Sequence, residues 1–433
     1  MIRRLFSLLD PFLLLLLVAR EVWRSRRHGT APATLAGHII LSIVKFVPDG
    51  TALTADQLDV QTLKGVFQRV LSLSLSDSRQ TIQRSEPAPG IHYMDVPLHP
   101  ANGLARRGLR RSAALAGLSQ VRQELETAIA AGRYGTVTAH DPHLLGLLGV
   151  AIACRTGVPL ILHLNSNFDN KFAQTGKVSF PWAHWRWMER RIEHFVMARA
   201  SVIVADRHYY RTSGFVPARY HHKYRTVGVF PPLVVNAERG PSRVELLKRW
   251  SLPDRPVLVY VGRLHPHKLA EDLIPFALQL AKSGSDWTFV LAGDGPLRGA
   301  MEAAAMPLGD RIRFLGNQTP DAVADLFRLA HFVVATHGGV TLVEAATAAK
   351  ATLAYDYDWM PEFITDGTNG ALVTVRDVTA LAAVAAGWLA QPEIPARLGR
   401  AARETVQRHY QRGSALRHEG DVYRALQPSP PSP

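Results

Sequence analysis

The chain has 433 residues, 47% hydrophobic and 20% charged, enough for two or more ordinary cores and too apolar for a disordered protein. A single cysteine, Cys154, excludes a disulfide framework and any cysteine-based zinc or iron–sulfur site, and it fits a reducing compartment. The net charge of +14 is confined to the first half, because residues 1–240 carry 30 Lys+Arg against 16 Asp+Glu while residues 241–433 carry 20 against 20. A basic half faces anions such as phosphate, lipid head groups or nucleic acid, or is a solvated surface without a partner.

In chain order, Arg3 and Arg4 precede an apolar run at 5–19, which Asp10 and Pro11 interrupt; Arg20, Arg24, Arg26 and Arg27 follow it. A spanning helix needs about 17–20 apolar residues, so the run is at or below that length. Three readings stand: a helix lying in the interface, a short single span, or a signal peptide whose small-residue site lies beyond the arginines at Ala31-Pro32-Ala33. A span would keep the richer arginine flank, and the body of the protein, in the cytoplasm. The expectation is a membrane-associating segment over 1–28, at the cytoplasmic face of the cell (inner) membrane.

Beyond residue 35, short apolar runs alternate with helix-length segments, the pattern of parallel sheets covered by helices. Strands are expected at 38–44, 70–75, 137–139, 159–163 and 202–205, then at 257–260, 288–292, 312–315, 332–335 and 351–354. Two series of similar length predict two Rossmann-like domains, 29–235 and 236–426, joined by the Pro/Gly-rich stretch 230–253. The Pro/Ser-rich end, 427–433, is expected to be disordered. Arg106, Arg107, Arg110 and Arg111 precede an Ala/Leu-rich segment, a patch suited to anionic lipid. No recognition-helix, zinc-finger or RNA-binding pattern accompanies it, so nucleic acid is not an expected partner. The tract 182–199 mixes tryptophans with arginines and either meets an acceptor or the membrane interface or packs on its own domain.

Four segments carry chemistry. In the first, a strand ends at Gly262 and two cations follow five residues apart, Arg263 and Lys268. At the carboxyl end of a parallel strand such a pair suits a diphosphate; solvated loop cations are the alternative. In the second, a strand runs into Gly293-Asp294-Gly295-Pro296, which a plain turn also explains. In the third, Thr336-His337-Gly338-Gly339-Val340 joins a strand to a helix, so backbone N–H groups can meet an anion. Glu344, about one turn into that helix, can accept from two vicinal hydroxyls such as those of a ribose, or be a surface group. The fourth runs from Pro361-Glu362 to Asp366-Gly367 and Asn369-Gly370.

Together and in this order, these segments resemble the retaining GT-B glycosyltransferases of the group 1 family, also called family 4. The resemblance is close over 257–410. In the first half it rests on less distinctive elements, His140-Asp141-Pro142-His143, the strand ending at His163, and Glu189 ahead of Ala200-Ser201. It implies an α/β GT-B fold, two Rossmann-like domains facing across a cleft, with the last helix packing back on the first domain. It further implies that Arg263 and Lys268 clamp the diphosphate of a nucleotide-sugar, Glu344 holds the ribose, and the backbone near Gly338, Gly339 and Val340 approaches the β-phosphate or sugar. His163 matches the family histidine that reaches the donor sugar, and Glu362 belongs to the donor-binding set.

The implied activity is retaining transfer of a sugar to a lipid-linked or polysaccharide acceptor, with neither a cofactor nor a metal expected. Two departures from the family pattern bear on activity. Thr336 stands where the family usually carries the first of two glutamates; a threonine offers a sugar a hydroxyl but no negative charge. The glycine-rich turn after the first strand is also missing, with 46–50 standing nearest. The departures leave two rival readings: a non-catalytic GT-B scaffold that binds a nucleotide-sugar or a partner transferase, and a nucleotide-sugar epimerase of the same shape.

Overall fold

The computed structural model describes residues 37–42, 55–63, 65–76, 81–97, 110–180, 183, 185–236 and 240–426. The expected membrane segment 1–28, Arg106 and Arg107, the stretch 46–50 and the tail 427–433 lie outside the described residues. Among the described residues no helix is long and apolar enough to cross a membrane.

Two sheets organise the chain. The first contains β1 (His38–Ser42), β2 (Val70–Ser76), β3 (Gln83–Ala88), β4 (Ile91–Pro97), β5 (Thr136–Ala139), β6 (Leu160–Leu164), β7 (Val202–Ala205) and β8 (Tyr224–Thr226). Its order is β3-β4-β2-β1-β5-β6-β7-β8, parallel throughout except for the β3–β4 hairpin. The second contains β9 (Val257–Val261), β10 (Thr288–Ala292), β11 (Ile312–Gly316), β12 (Phe332–Ala335), β13 (Thr352–Asp356) and β14 (Gly370–Thr374). It is wholly parallel in the order β11-β10-β9-β12-β13-β14. That is the doubly wound 3-2-1-4-5-6 arrangement, whose ligand crevice opens at the carboxyl ends of the strands where the order reverses, here between β9 and β12.

Burial on both faces explains why β9 and β12 are continuously apolar. Successive side chains point to opposite faces, so Leu258 and Tyr260 join one core while Val257 and Val259 join the other. In the first domain Ile39 and Leu41 likewise part from Ile40. The strands not expected from sequence are β3, β4, β8 and β14. β3 is a mostly exposed edge containing a proline, and β4 is interrupted by His92 and Asp95.

After the second sheet the chain returns to the first domain. Tyr423, on the helix Arg412–Arg424, is 1% exposed, meets His38 and Phe67 edge-on and shares a 2.7 Å hydrogen bond with the Thr138 hydroxyl. The interdomain connection is therefore double, through the segment after β8 and through this helix.

Candidate active site

The carboxyl ends of five strands, two from the first sheet and three from the second, surround one cavity of about 200 Å³. β6 leads to Asn165 and Asn167, β7 to Arg207, β9 to Arg263 and Lys268, β12 to His337 and the backbone of Gly338–Val340, and β13 to Asp358 and Trp359. The helix Phe168–Thr175 completes the wall with Asn170, Lys171 and Gln174. Its start is set by Asn167, whose side chain accepts from the Asp169 and Asn170 N–H groups, and it ends at Gly176 with φ +63°.

The turns that carry these groups are tightly specified. Gly293 has φ +139°, and a Cβ there would stand 1.9 Å from the Gly262 carbonyl oxygen, so only glycine lets the β9 and β10 ends lie together. A Cβ on residue 339 would lie 3.7 Å from Lys268 Nζ, so the Gly339 backbone borders the ammonium at ordinary contact distance. Arg263 donates to His267 Nε2 at 3.0 Å. His267 must then carry its proton on Nδ1, which reaches His265 Nδ1 at 2.7 Å. Burial first, then Lys268 and Arg263, pull the His267 imidazole down to about 3, so it stays neutral.

Positive charge dominates the cavity: Lys171, Arg207, Arg263 and Lys268 face a single carboxylate, Asp358. Burial, with Arg207 and Arg263 adding to it, pulls the Lys268 ammonium down to about 8 despite the opposing pull of Asp358. Arg207 lies 4.2 Å over the Trp359 ring and donates to the Tyr210 hydroxyl at 3.1 Å. Asp358 holds a left-handed backbone, φ +56°, and its carboxylate lines the cavity. Burial would raise it, but His337, Asn170 and Arg207 outweigh burial and hold it below the usual range. The Asn170 amide donates to Asp358 at 2.9 Å and the His208 N–H donates to Glu362 at 3.1 Å, so hydrogen bonds cross between the domains beside the cavity.

Of the residues singled out in the sequence, the fold brings Arg263, Lys268, Gly338, Gly339 and Val340 to the cavity wall. Gly262, His163, Glu344 and Glu362 are not among the residues that line it. His163 shares a 2.9 Å hydrogen bond with Asn165, stacks on His140 at 4.9 Å, and has Glu419 at 3.8 Å. Glu344 accepts from the Leu233 N–H, and burial raises its carboxyl to about 7. Thr336 requires a correction. It is fully buried and its hydroxyl donates to the Lys268 carbonyl at 2.9 Å, so it fixes the Lys268 loop and its proton is already committed. Sequence reasoning missed Asn170, Lys171, Arg207, His337 and Asp358. Arg207 and His337 had a usable signal, since each follows the carboxyl end of a parallel strand.

The fold also assembles a carboxylate–histidine cluster that sequence spacing does not show. His143, Glu189 and Glu193 bring ligand atoms within 4.8 Å of one another. Their oxygens are already taken: Glu189 accepts from Ser179 N–H, Phe180 N–H and Arg186, and Glu193 from His143, Arg186 and Arg190. The Arg186 guanidinium supplies the positive charge there, and the cluster anchors the helix Arg186–Arg199 in the first domain.

Comparison with known proteins accords with this geometry. Residues 244–405 match the family model for glycosyl transferases group 1, and residues 57–221 match that for the glycosyl transferase 4-like domain. The chain is 28% identical over 282 residues to an alpha-D-kanosaminyltransferase of Streptomyces kanamyceticus, covering 62% of this chain and 71% of that protein. Among solved structures, sucrose-phosphate synthase from Thermosynechococcus elongatus aligns with a TM-score of 0.71 at 18% identity, over 90% of this chain and 98% of that one. Anabaena HepE, solved in complex with UDP and glucose, aligns with a TM-score of 0.67 at 16% identity, over 90% and 99%. With each half matching a glycosyltransferase model, and two doubly wound sheets meeting at one cation-lined cleft, the chain belongs to the group 1 glycosyltransferases and has the GT-B fold.

Proposed function

We propose that the protein transfers a sugar, with retention of configuration, from a nucleoside diphosphate-sugar to a hydroxyl of a lipid-linked or polysaccharide acceptor. The observation that carries this reading is the charge of the cavity, four cations against one carboxylate at the carboxyl ends of facing strands. The barrier in such a transfer is departure of the diphosphate with developing negative charge. Arg263 and Lys268, held in place before the reaction, stabilise that charge without reorganising, and Arg207 adds to them from the facing domain. The bond from sugar C1 to the diphosphate oxygen breaks, the bond from C1 to the acceptor oxygen forms on the same face, and the acceptor proton passes to the leaving phosphate. No side-chain nucleophile is required. Glu344 is the ribose acceptor in this reading, because its desolvated carboxyl gains from two hydroxyl donors. His163, held by Asn165 and His140, reaches the donor sugar from the first domain.

Membrane attachment through residues 1–28, at the cytoplasmic face, belongs to the same proposal and rests on the sequence. The basic first half supports it.

The test is a thermal-unfolding screen of the full chain with UDP-, GDP- and other nucleotide-sugars. A ligand at about 100 times its Kd stabilises the native state by about 2.7 kcal/mol. At least one donor should stabilise the wild type and fail to stabilise Lys268→Ala. A chain that binds no nucleotide-sugar would overturn the proposal; one that binds a donor and never transfers it is the scaffold.

A further inference from the structure

A second cavity, of about 470 Å³, lies on the opposite face of the second domain, at the amino ends of its strands. Its wall includes His331 immediately before β12, Lys350 just before β13, Arg243 opening the helix Arg243–Arg249, and Arg400 on the helix Glu393–His409. Arg328 also lines it, and no Asp or Glu does.

The charges here are unevenly matched. Arg328 is paired with Asp325, and Arg243 with Asp254 at 3.1 Å. Among the described residues, neither Lys350 nor Arg400 has a carboxylate within ion-pair distance. Burial, with Arg243 adding to it, pulls the Lys350 ammonium down to about 8, and no carboxylate opposes the fall. His331 Nδ1 accepts from the Val257 N–H at 3.0 Å, so its remaining nitrogen is a donor. A desolvated ammonium beside a guanidinium is costly unless an anion neutralises both.

We propose that this cavity is a second ligand site, distinct from the donor cleft, and that it binds a phosphomonoester through Lys350, Arg243 and Arg400. Two uncompensated cations match a phosphate dianion better than a single carboxylate. The cavity also extends along Trp388, Pro392 and Pro395, giving an organic moiety apolar surface to cover that a bare phosphate ion would leave to water. Because Arg243 opens the helix that follows the interdomain segment, a ligand here ties that segment to the body of the second domain.

The experiment titrates glycerol phosphate, and separately inorganic phosphate, into the full chain at constant ionic strength, reading thermal unfolding and heat of binding. The wild type and the donor-cleft variant Arg263→Ala should both be stabilised by glycerol phosphate. The double variant Lys350→Gln/Arg400→Gln should bind it at least tenfold more weakly. Without phosphate this variant should unfold no earlier than wild type, since it has lost only uncompensated charge. If it does unfold earlier, the single change at the exposed Arg400, Arg400→Gln, carries the test, with a weaker loss expected. Equal binding by the Gln variants, loss of binding in Arg263→Ala, or equal affinity for inorganic phosphate would each overturn the assignment.

Discussion

Lys268→Met separates the stability of the unliganded cavity from its function. Methionine keeps most of the aliphatic stem and removes the charge. In the folded protein burial, then Arg207 and Arg263, bring the ammonium from 10.5 to about 8. Below pH 8 the native state holds this proton less tightly than the unfolded chain does, and the resulting cost is fully present. It vanishes as pH rises to the unfolded value of about 10.4. At about 1.4 kcal/mol per pH unit the ceiling is about 3 kcal/mol. Lost stem contacts and relief of Arg207 and Arg263 by one another's movement reduce this, so about 1–2 kcal/mol of stabilisation is expected at pH 7 and almost none at pH 10. Urea unfolding of both forms at the two pH values measures it. Transfer by the same variant should fall about 10²–10³-fold, since a fixed group facing the leaving charge has been removed. A variant no more stable at pH 7 than at pH 10, relative to wild type, would refute the charge argument.

Donor affinity should be bell-shaped in pH. It rises as Glu344 ionises through about pH 7 and falls as Lys268 deprotonates above about pH 8. Calorimetry from pH 6 to 9.5 should show Glu344→Gln abolishing only the acid limb; a flat wild-type profile would rule out both assignments. Thr336→Val removes the donor to the Lys268 carbonyl and should cost about 1–3 kcal/mol in denaturant unfolding. The ranking of donors should stay unchanged, and an altered ranking would return Thr336 to the sugar site. Removing residues 1–28 should leave a chain that sediments with anionic vesicles at low salt and leaves them at 1 M, where the Debye length is about 3 Å. The full chain should remain bound at both salt concentrations.

The second sheet was largely legible in the sequence because β9, β10, β12 and β13 are buried on both faces and read as apolar runs, while the edge strand β11 read as one despite Arg313. β14 escaped notice because its first residue, Gly370, belongs to a turn motif and only Ala371, Leu372 and Val373 are apolar. β3 escaped because an exposed edge obeys no burial pattern, and β4 because His92 and Asp95 interrupt its apolar run. In the site, Arg263 and Lys268 could be found from one strand end. Arg207 follows the end of β7 and carried the same kind of signal, whereas Asn170 and Asp358 could not be found, since they matter through the contact they make across the two domains. Thr336 shows the complementary error: spacing placed the residue beside the cleft correctly, and spacing holds no information on which way a hydroxyl is turned. The Lys268 carbonyl claims it.

The central claim is that the cation-lined cleft transfers a sugar with retention. The direct measurement incubates the purified full chain with the donor that stabilises it and a lipid-linked acceptor, then reads the anomeric configuration of the product by NMR. The account predicts product with the donor's configuration, formed by wild type and about 10²–10³-fold more slowly by Arg263→Ala. Inverted product, or wild-type turnover in Arg263→Ala, would contradict it.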